Sequence, residues 1–508
     1  MRKRKLIFNT STSLLNQIIT IICGFILPKL FLEYYGSTVN GLVSSITQFL
    51  GFITFLELGV GAVVQSALYK PLANNDNKQI SKILKSADNF FKKIAYILLI
   101  YTVGLAIIYP LIVNKEFNYI YTLSLIIIIS ISSFAQYYFG IKYQLLLNAD
   151  QKSYIQMCTQ IITMVLNTVC CIVLIKKGCT IQSVKLLTAL IFVLRPILLS
   201  LYVKKNYKID NKIIISDEPI KQKWNGLAQH LAAVVLSNTD IVVLTIFSTL
   251  DNVSIYTVYN LVVTGVKQIL TSITTGASAL FGNMLSKKED ELLIKSFEKF
   301  EIIIHYLVVI LFTCTAILIV PFVKIYTKNI TDINYILPQF AILITMAQAA
   351  YCLRLPYNIM VLAAGHYKQT QKSAIIEMLI NILISIGCVL RFDLIGVALG
   401  TLIAMSYRTI YLVLYLSKNI IHRSTRFFIK HIILDLIIIM FIINITSHLN
   451  YNIVSYYEFI ILAFKVGIIT MVVATIVNII GYYKIIVPIS KRVILSISST
   501  FRGKKILR

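Results

Sequence analysis

The sequence predicts an all-α polytopic membrane protein. It is expected to hold about fourteen transmembrane helices, as two six-helix lobes plus two extra C-terminal helices. Three observations lead there. The 508 residues are 57% hydrophobic and only 14% charged, with a mean hydropathy of +0.80, where a soluble chain carries about 25% charged residues. Apolar runs long enough to cross roughly 30 Å of hydrocarbon as helices recur along the whole length. Most of the 48 lysines and arginines fall in every second connector, on one side of those runs, as the positive-inside rule requires.

The elements follow in chain order. MRKRKLIF has the charged start of a signal peptide, but the next run is long, contains Pro28 and shows no small-residue cleavage site, so it reads as an uncleaved first helix. Hydropathy and breakers place the spans near 11–33, 39–66, 94–113, 119–140, 154–175, 180–203, 226–250, 255–285, 300–324, 336–364, 374–390, 395–417, 430–449 and 457–482. The turns GSTVN and LDNVS close two short hairpins on one side. The polar connectors, among them VKKNYKIDNKIIISDEPIKQK and SKNIIHRSTRFFIK, lie on the other. Both termini are expected in the cytoplasm, and the protein in the cell (cytoplasmic/inner) membrane. The expected domains are an N-terminal lobe with its cytoplasmic linker at 1–224, a C-terminal lobe at 225–418, and helices thirteen and fourteen with a basic tail at 419–508.

The net charge of +27 alone suggests a nucleic-acid binder. Its clustering in connectors makes it mostly a topology signal, one that also suits anionic lipid headgroups. The eight cysteines sit in or beside apolar runs with no CxxC spacing, so they read as small hydrophobes rather than a disulfide or metal framework.

Self-comparison shows a repeat. RPILLSLYVKKN (195–206) and RTIYLVLYLSKN (408–419) share Arg, Ile, Leu, Leu, Tyr, Lys and Asn at seven of twelve positions. ILPKLFLEYYGSTVNGLV (26–43) against IVVLTIFSTLDNVSIYTV (241–258), and LLNADQK (146–152) against VLAAGHY (361–367), align at nearly the same offset. Six helices separate the partners, an even number. The halves therefore share orientation and should be related by a pseudo-two-fold along the membrane normal, a plan used by transporters.

Charged residues inside spans cost at least about 2.5–3.5 kcal/mol each, so they face a cavity or a partner. Lys29, Lys142 and Lys185 lie near span ends, where a long stem can snorkel; Lys465 is intermediate. Asp240 and Lys267 stand midway along a predicted hairpin. They either form a structural ion pair or line a cavity, with Lys267 taking an anionic group and Asp240 a proton or cation. Arg195 and Arg408 lie roughly 13 Å from their cytoplasmic ends, either bracing their lobes or meeting a substrate. Arg354 stands beside Pro356, which can bend its span. Deep basic groups outnumber the deep acids, Glu57 and Asp240, and guanidinium matches phosphate in bidentate fashion. The residues proposed to bind substrate are Lys29, Glu57, Arg195, Asp240, Lys267, Arg354 and Arg408. No catalytic, nucleotide, metal or cofactor pattern is present in the sequence, so a non-enzymatic transporter driven by an ion gradient or by coupled synthesis is expected.

GFILPKLFLEYYGSTVNGLVSSITQFLGFITFLELGVGAVVQSALYKPL (24–72), LLLNADQKSYI (145–155), LRPILLSLYVKKNYK (194–208) and SNTDIVVLTIFSTLDNVSIYTVYNLV (237–262) carry a family resemblance. The chain resembles the Wzx-type polysaccharide (O-antigen/capsule repeat-unit) flippases of the multidrug/oligosaccharidyl-lipid/polysaccharide exporter superfamily. The resemblance implies a V-shaped pair of six-helix lobes around a central cavity lined by helices one, two, seven and eight. It implies a lipid-pyrophosphate-linked oligosaccharide as cargo, moved by alternating access from the cytoplasmic to the outer leaflet. Glu57, Asp240 and Lys267 become cavity residues, with Lys29 nearer the outer mouth. Helix two offers Glu57 and no arginine, so the basic contribution must come from Lys267 and elsewhere. The partners implied are this lipid-linked substrate, membrane lipids, and a polysaccharide polymerase with other assembly proteins; no nucleic acid is implied. The rival reading is a cation-coupled multidrug exporter of the same fold, which needs acidic residues to dominate the cavity. A membrane polymerase or glycosyltransferase usually needs a sizeable outside loop or a surface acidic pair, and neither is visible.

Overall fold

A computed structural model gives the architecture and describes residues 2–57, 60–210, 227–274, 277–449, 451 and 453–483. Most of the linker after Asp210 (211–226) and the basic tail after Tyr483 lie outside the described residues. The helices in chain order are α1 (Arg2–Tyr35), α2 (Ser37–Gly51), α3 (Val60–Ala73), α4 (Asn77–Ile112), α5 (Tyr119–Ala135), α6 (Ile141–Ala149), α7 (Ser153–Lys176), α8 (Ile181–Asn206), α9 (Leu227–Phe247), α10 (Leu250–Thr274), α11 (Ala277–Ser286), α12 (Asp290–Tyr326), α13 (Pro338–Leu353), α14 (Leu355–Ala363), α15 (Tyr367–Asn419), α16 (Arg426–Thr446) and α17 (Tyr456–Gly481). No strand occurs among the described residues. Hydrocarbon offers no hydrogen bonds, so apolar chain satisfies its backbone internally as helix. Eleven described stretches are long and apolar enough to cross a membrane, and α9 holds a shorter apolar stretch, Leu231–Phe247.

Several expected spans are subdivided. The second is α2, a 3₁₀ segment over Phe52–Glu57, then α3; the fourth is α5, a π segment over Gln136–Gly140, then α6. The tenth breaks between α13 and α14, where Pro356 occupies the first turn of α14 and offers no backbone N–H to continue the ladder. The eleventh and twelfth run together as α15, bent at Asp393, whose φ is 45°. Ser248 Oγ donates to Asp393 Oδ1 at 2.9 Å across this bend. Gly396 and Gly400 let the two arms meet, because a Cβ at Gly396 would stand 2.4 Å from the Cys388 carbonyl carbon.

The surface is inverted relative to a soluble protein. Ile120, Met440 and Ile480 are more than 70% exposed, while Thr163, Asn381 and Glu301 are at most 1% exposed. Apolar side chains outside and paired polar ones inside are what a lipid solvent selects. All eight cysteines are unbridged.

By spatial packing the chain divides into two units, each drawn from several segments: Met1–Leu261 with Thr327–Tyr335 and Tyr367–Ala404, and Val262–Tyr326 with Ile336–His366 and Met405–Arg508. In the first, α1 packs on α7, α7 and α5 on α8, and α2 on α9. Hydroxyl and amide pairs run along α2: Ser45 with Thr245 at 2.6 Å, and Asn40 Nδ2 donating to Ser254 Oγ at 2.9 Å. Gly41 permits this approach, since a Cβ there would lie 1.9 Å from the Leu250 carbonyl oxygen. Asp332 accepts from Ser37 N at 2.7 Å and Ser37 Oγ at 2.8 Å. The buried Tyr335 hydroxyl donates to Ser37 Oγ at 2.7 Å, and burial pushes its pKa up to about 12.

In the second unit α12 packs on α13, α16 and α17. Its core holds a buried polar network. Glu301, fully buried, accepts from the Tyr357 hydroxyl, from Arg423 Nη2 at 2.7 Å, and faces His431 Nε2 at 3.4 Å. His305 Nδ1 meets Asp435 Oδ2 at 2.6 Å, and the two imidazoles stack at 4.7 Å. Buried charge is tolerated in this way, with each group facing a partner.

Candidate functional site

The sequence-predicted residues fall into three groups. The first lines a cavity of about 490 Å³ within the first unit, where Glu57 and Arg195 share one wall set with Gln136, Tyr137, Gln156 and Gln160. Two departures from α geometry build it. The 3₁₀ segment ends at Glu57, and the π segment begins at Gln136 and carries Tyr137. The Tyr137 hydroxyl donates to Glu57 Oε1 at 2.6 Å. A single-turn π insertion re-aims side chains within an apolar helix and recurs at functional sites. Gly140 ends that insertion against α8: a Cβ there would stand 3.0 Å from Pro196 Cβ. The close approach brings Arg195 to the cavity wall.

Arg195 is held on one side only. Its Nε donates to Thr163 Oγ1 at 2.6 Å and its guanidinium lies 4.0 Å from the centre of the Phe192 ring. Its Nη2 is buried without a hydrogen-bond partner among the described residues. Such an atom costs about 1–3 kcal/mol unless something meets it. The site therefore combines a fixed cation, a carboxylate and several neutral amides, a set suited to orienting a polar, partly anionic group.

The second group surrounds Asp240, which is buried on α9. The Tyr256 hydroxyl donates to Oδ2 at 2.8 Å, Thr401 Oγ1 lies 2.9 Å from both oxygens, and Asn381 Nδ2 approaches Oδ1 at 3.4 Å. These partners satisfy Asp240 within the first unit. Tyr256 meets Asp240, and Lys267 follows eleven positions later on α10, roughly 16 Å along a helix.

The third group lies in the second unit. Lys267 Nζ sits 4.1 Å from the Tyr351 ring centre and the Arg354 guanidinium 4.5 Å from the same ring. The break between α13 and α14 falls at Arg354, which is buried. Two cations on one aromatic ring are each attracted by its quadrupole while adding their charge at one place. Arg408 is also buried, and its neighbour Thr409 donates to the Ala350 carbonyl at 2.8 Å, so this part of α15 lies beside the end of α13.

Lys29 pairs along its own helix with Glu33 at 3.7 Å. Lys142 meets Asp88 at 2.6 Å, and Lys185 Nζ lies 4.2 Å from the centre of the Phe31 ring.

Tyr137, Gln136, Gln156 and Gln160 carry no charge that would mark them in the sequence. A signal for them was present. Gln156, Gln160, Thr163 and Asn167 recur at the i, i+4, i+7, i+11 spacing of one α-helical face, inside a span expected to be apolar.

No protein-family profile matches the sequence, and no curated protein matches it. Solved structures do. A lipid II flippase, MurJ, in an inward closed conformation matches with a TM-score of 0.71 at 17% identity, covering 94% of this chain and all of that one. An inward-facing multidrug resistance MATE transporter of the MOP superfamily matches with a TM-score of 0.62 at 14% identity, over 79% of this chain and 95% of its own. A Vibrio cholerae MATE transporter, VcmN, in its bent form matches at 0.51 with 12% identity, over 80% and 98%. The chain is thus a multi-pass helical protein with the fold shared by the MurJ and MATE transporters of the MOP superfamily.

Proposed function

We propose that this protein is a flippase for lipid-pyrophosphate-linked oligosaccharide repeat units, moving them from the cytoplasmic to the outer leaflet for surface polysaccharide assembly by alternating access. The observations that support this reading are cationic groups within spans of each unit: Lys267 and the buried Arg354 on Tyr351 in the second, and Arg195 on the wall of a polar cavity in the first. Pyrophosphate presents several acceptor oxygens, and guanidinium and ammonium groups in a low-dielectric setting recognise it strongly. The likeness to a lipid II flippase over 94% of the chain supports a lipid-borne cargo. In this reading two six-helix lobes, 1–224 and 225–418, rock about the cargo while its lipid tail stays in the bilayer. Lys29 then stands towards the outer mouth, and Asp240 holds a proton or cation. Both termini lie in the cytoplasm, and a polymerase accepts the delivered unit.

One observation favours a second reading, a cation-coupled multidrug exporter: Glu57 is a carboxylate on the wall of a cavity otherwise rich in neutral polar groups. Deleting the gene separates the two. Lipid-linked repeat units accumulating on the cytoplasmic leaflet with loss of surface glycan support the flippase. Drug sensitivity with normal surface glycan supports the exporter.

A further inference from the structure

The first unit contains another cavity, of about 550 Å³, that is strongly basic. One wall is a stripe of α4, Ser81, Lys85, Asp88 and Lys92, whose i, i+4, i+7, i+11 spacing puts all four on one helix face. Lys142 of α6 and Lys204 near the end of α8 enter from the other walls, with Asp210 beyond. Four lysines face two aspartates, an excess of two positive charges (4 − 2 = 2). Asp88 sits between two of the lysines, 2.9 Å from Lys92 and 2.6 Å from Lys142. One carboxylate cannot neutralise two ammonium groups, so the inner end stays cationic.

The remaining wall is apolar and open. Phe139, Ile197 and Leu201 line the cavity and are 49%, 43% and 59% exposed on the outer surface. They lie on helices apolar enough to cross the membrane, so that surface meets lipid. A soluble anion would use the lysines and leave this wall unused. A molecule with a phosphate at one end and an acyl chain at the other uses both.

We propose that this cavity is a binding site for a membrane-lipid phosphate, occupied by an anionic phospholipid. The phosphate sits among Lys85, Lys142 and Lys204, and an acyl chain runs along Phe139, Ile197 and Leu201. Lysine serves phosphate as a mobile point charge, and basic pockets between transmembrane helices suit anionic headgroups. The site is separate from the cavity holding Glu57 and Arg195, and it does not depend on which cargo is carried.

The test uses the full chain purified in a neutral detergent, with thermal unfolding and native mass spectrometry as readouts. Three probes are added at equal concentration: phosphatidylglycerol, phosphatidylcholine and inorganic phosphate. Phosphatidylglycerol is expected to raise the melting temperature and to remain bound in the gas phase; the other two are expected to do neither. The double variant Lys85→Gln/Lys204→Gln should bind phosphatidylglycerol at least tenfold more weakly. Lys176→Gln/Lys177→Gln, outside the cavity, should bind it normally. Ser200→Trp fills the cavity with every lysine in place and should give the same loss. Equal stabilisation by inorganic phosphate would overturn the lipid as occupant. Equal stabilisation by phosphatidylcholine, or full binding by both cavity variants, would overturn the site itself.

Discussion

Arg195→Gln separates bracing from substrate contact. In the structure the guanidinium makes one charge-assisted hydrogen bond, to Thr163 at 2.6 Å, and one ring contact, to Phe192 at 4.0 Å. The first is worth about 1.5–3 kcal/mol and the second about 0.5–2 kcal/mol. Against these stands Nη2, buried without a partner among the described residues, together with the desolvation of the charge itself. Removing an unpartnered buried donor returns about 1–3 kcal/mol. The opposing contributions nearly cancel, so Arg195→Gln should change the unfolding free energy by no more than about 1 kcal/mol. If the free edge of the guanidinium holds the pyrophosphate, transport should still fall about tenfold or more, the equivalent of at least one lost charged hydrogen bond. Thr163→Val is the control. It removes the brace, costs about 1–3 kcal/mol, and should leave transport within about twofold. The assay is a proteoliposome carrying a polyprenyl-pyrophosphate oligosaccharide, with sugar exposure on the far leaflet read by an impermeant lectin. Stability is read on the same preparations by chemical denaturation. Full transport by Arg195→Gln at normal stability would refute substrate contact. Losses of transport that track losses of stability in both variants would establish bracing.

Three further outcomes follow from the packing. Glu301→Gln keeps the shape of a fully buried side chain but removes the carboxylate that Arg423 meets at 2.7 Å, leaving it Glu298 at 3.9 Å, so it should destabilise by about 1.5–3 kcal/mol; a denaturation midpoint equal to wild type would show that the α12–α16 network contributes nothing. Gly41→Ala should destabilise despite the roughly 1 kcal/mol gained in helix propensity, because its Cβ meets the Leu250 carbonyl at 1.9 Å and overpacking costs about 1–3 kcal/mol. Gly104→Ala, with nothing within 4 Å, should be neutral or stabilising; the reverse order in thermal unfolding would contradict the packing. Tyr335, whose folded pKa is pushed up to about 12 by burial, bears on alkaline stability. The unfolded phenol ionises near pH 10 while the folded one stays protonated, so its stabilisation is complete below about pH 10 and is lost as pH rises to about 12. Tyr335→Phe should flatten that part of the stability profile, and an unchanged slope between pH 10 and 12 would exclude the residue as its source.

The sequence by itself determined that this chain spans a membrane many times as helices. Apolar runs of sufficient length leave the backbone no other way to satisfy its hydrogen bonds in lipid, and 57% hydrophobic content with most of the charge in connectors makes the pattern plain. It also singled out Arg195, Glu57, Asp240, Lys267 and Arg354, because a charge in an apolar run is visible without coordinates. What these residues meet was decided only by the tertiary structure. The sequence around Asp240 does not show that Tyr256, Thr401 and Asn381 satisfy it, the last two contributed by α15 from far along the chain. The 3₁₀ and π segments that join Glu57 to Tyr137 leave no periodicity to read, since each shifts the register by a fraction of a turn. The pairing of Lys142 with Asp88 and the basic cavity around it depend on α4, α6 and α8 lying together. Local propensity specifies each helix, but not which helix packs beside which. Lipid-facing and buried stripes differ mainly in a few small or polar residues, and it is contact between distant segments that turns those residues into sites.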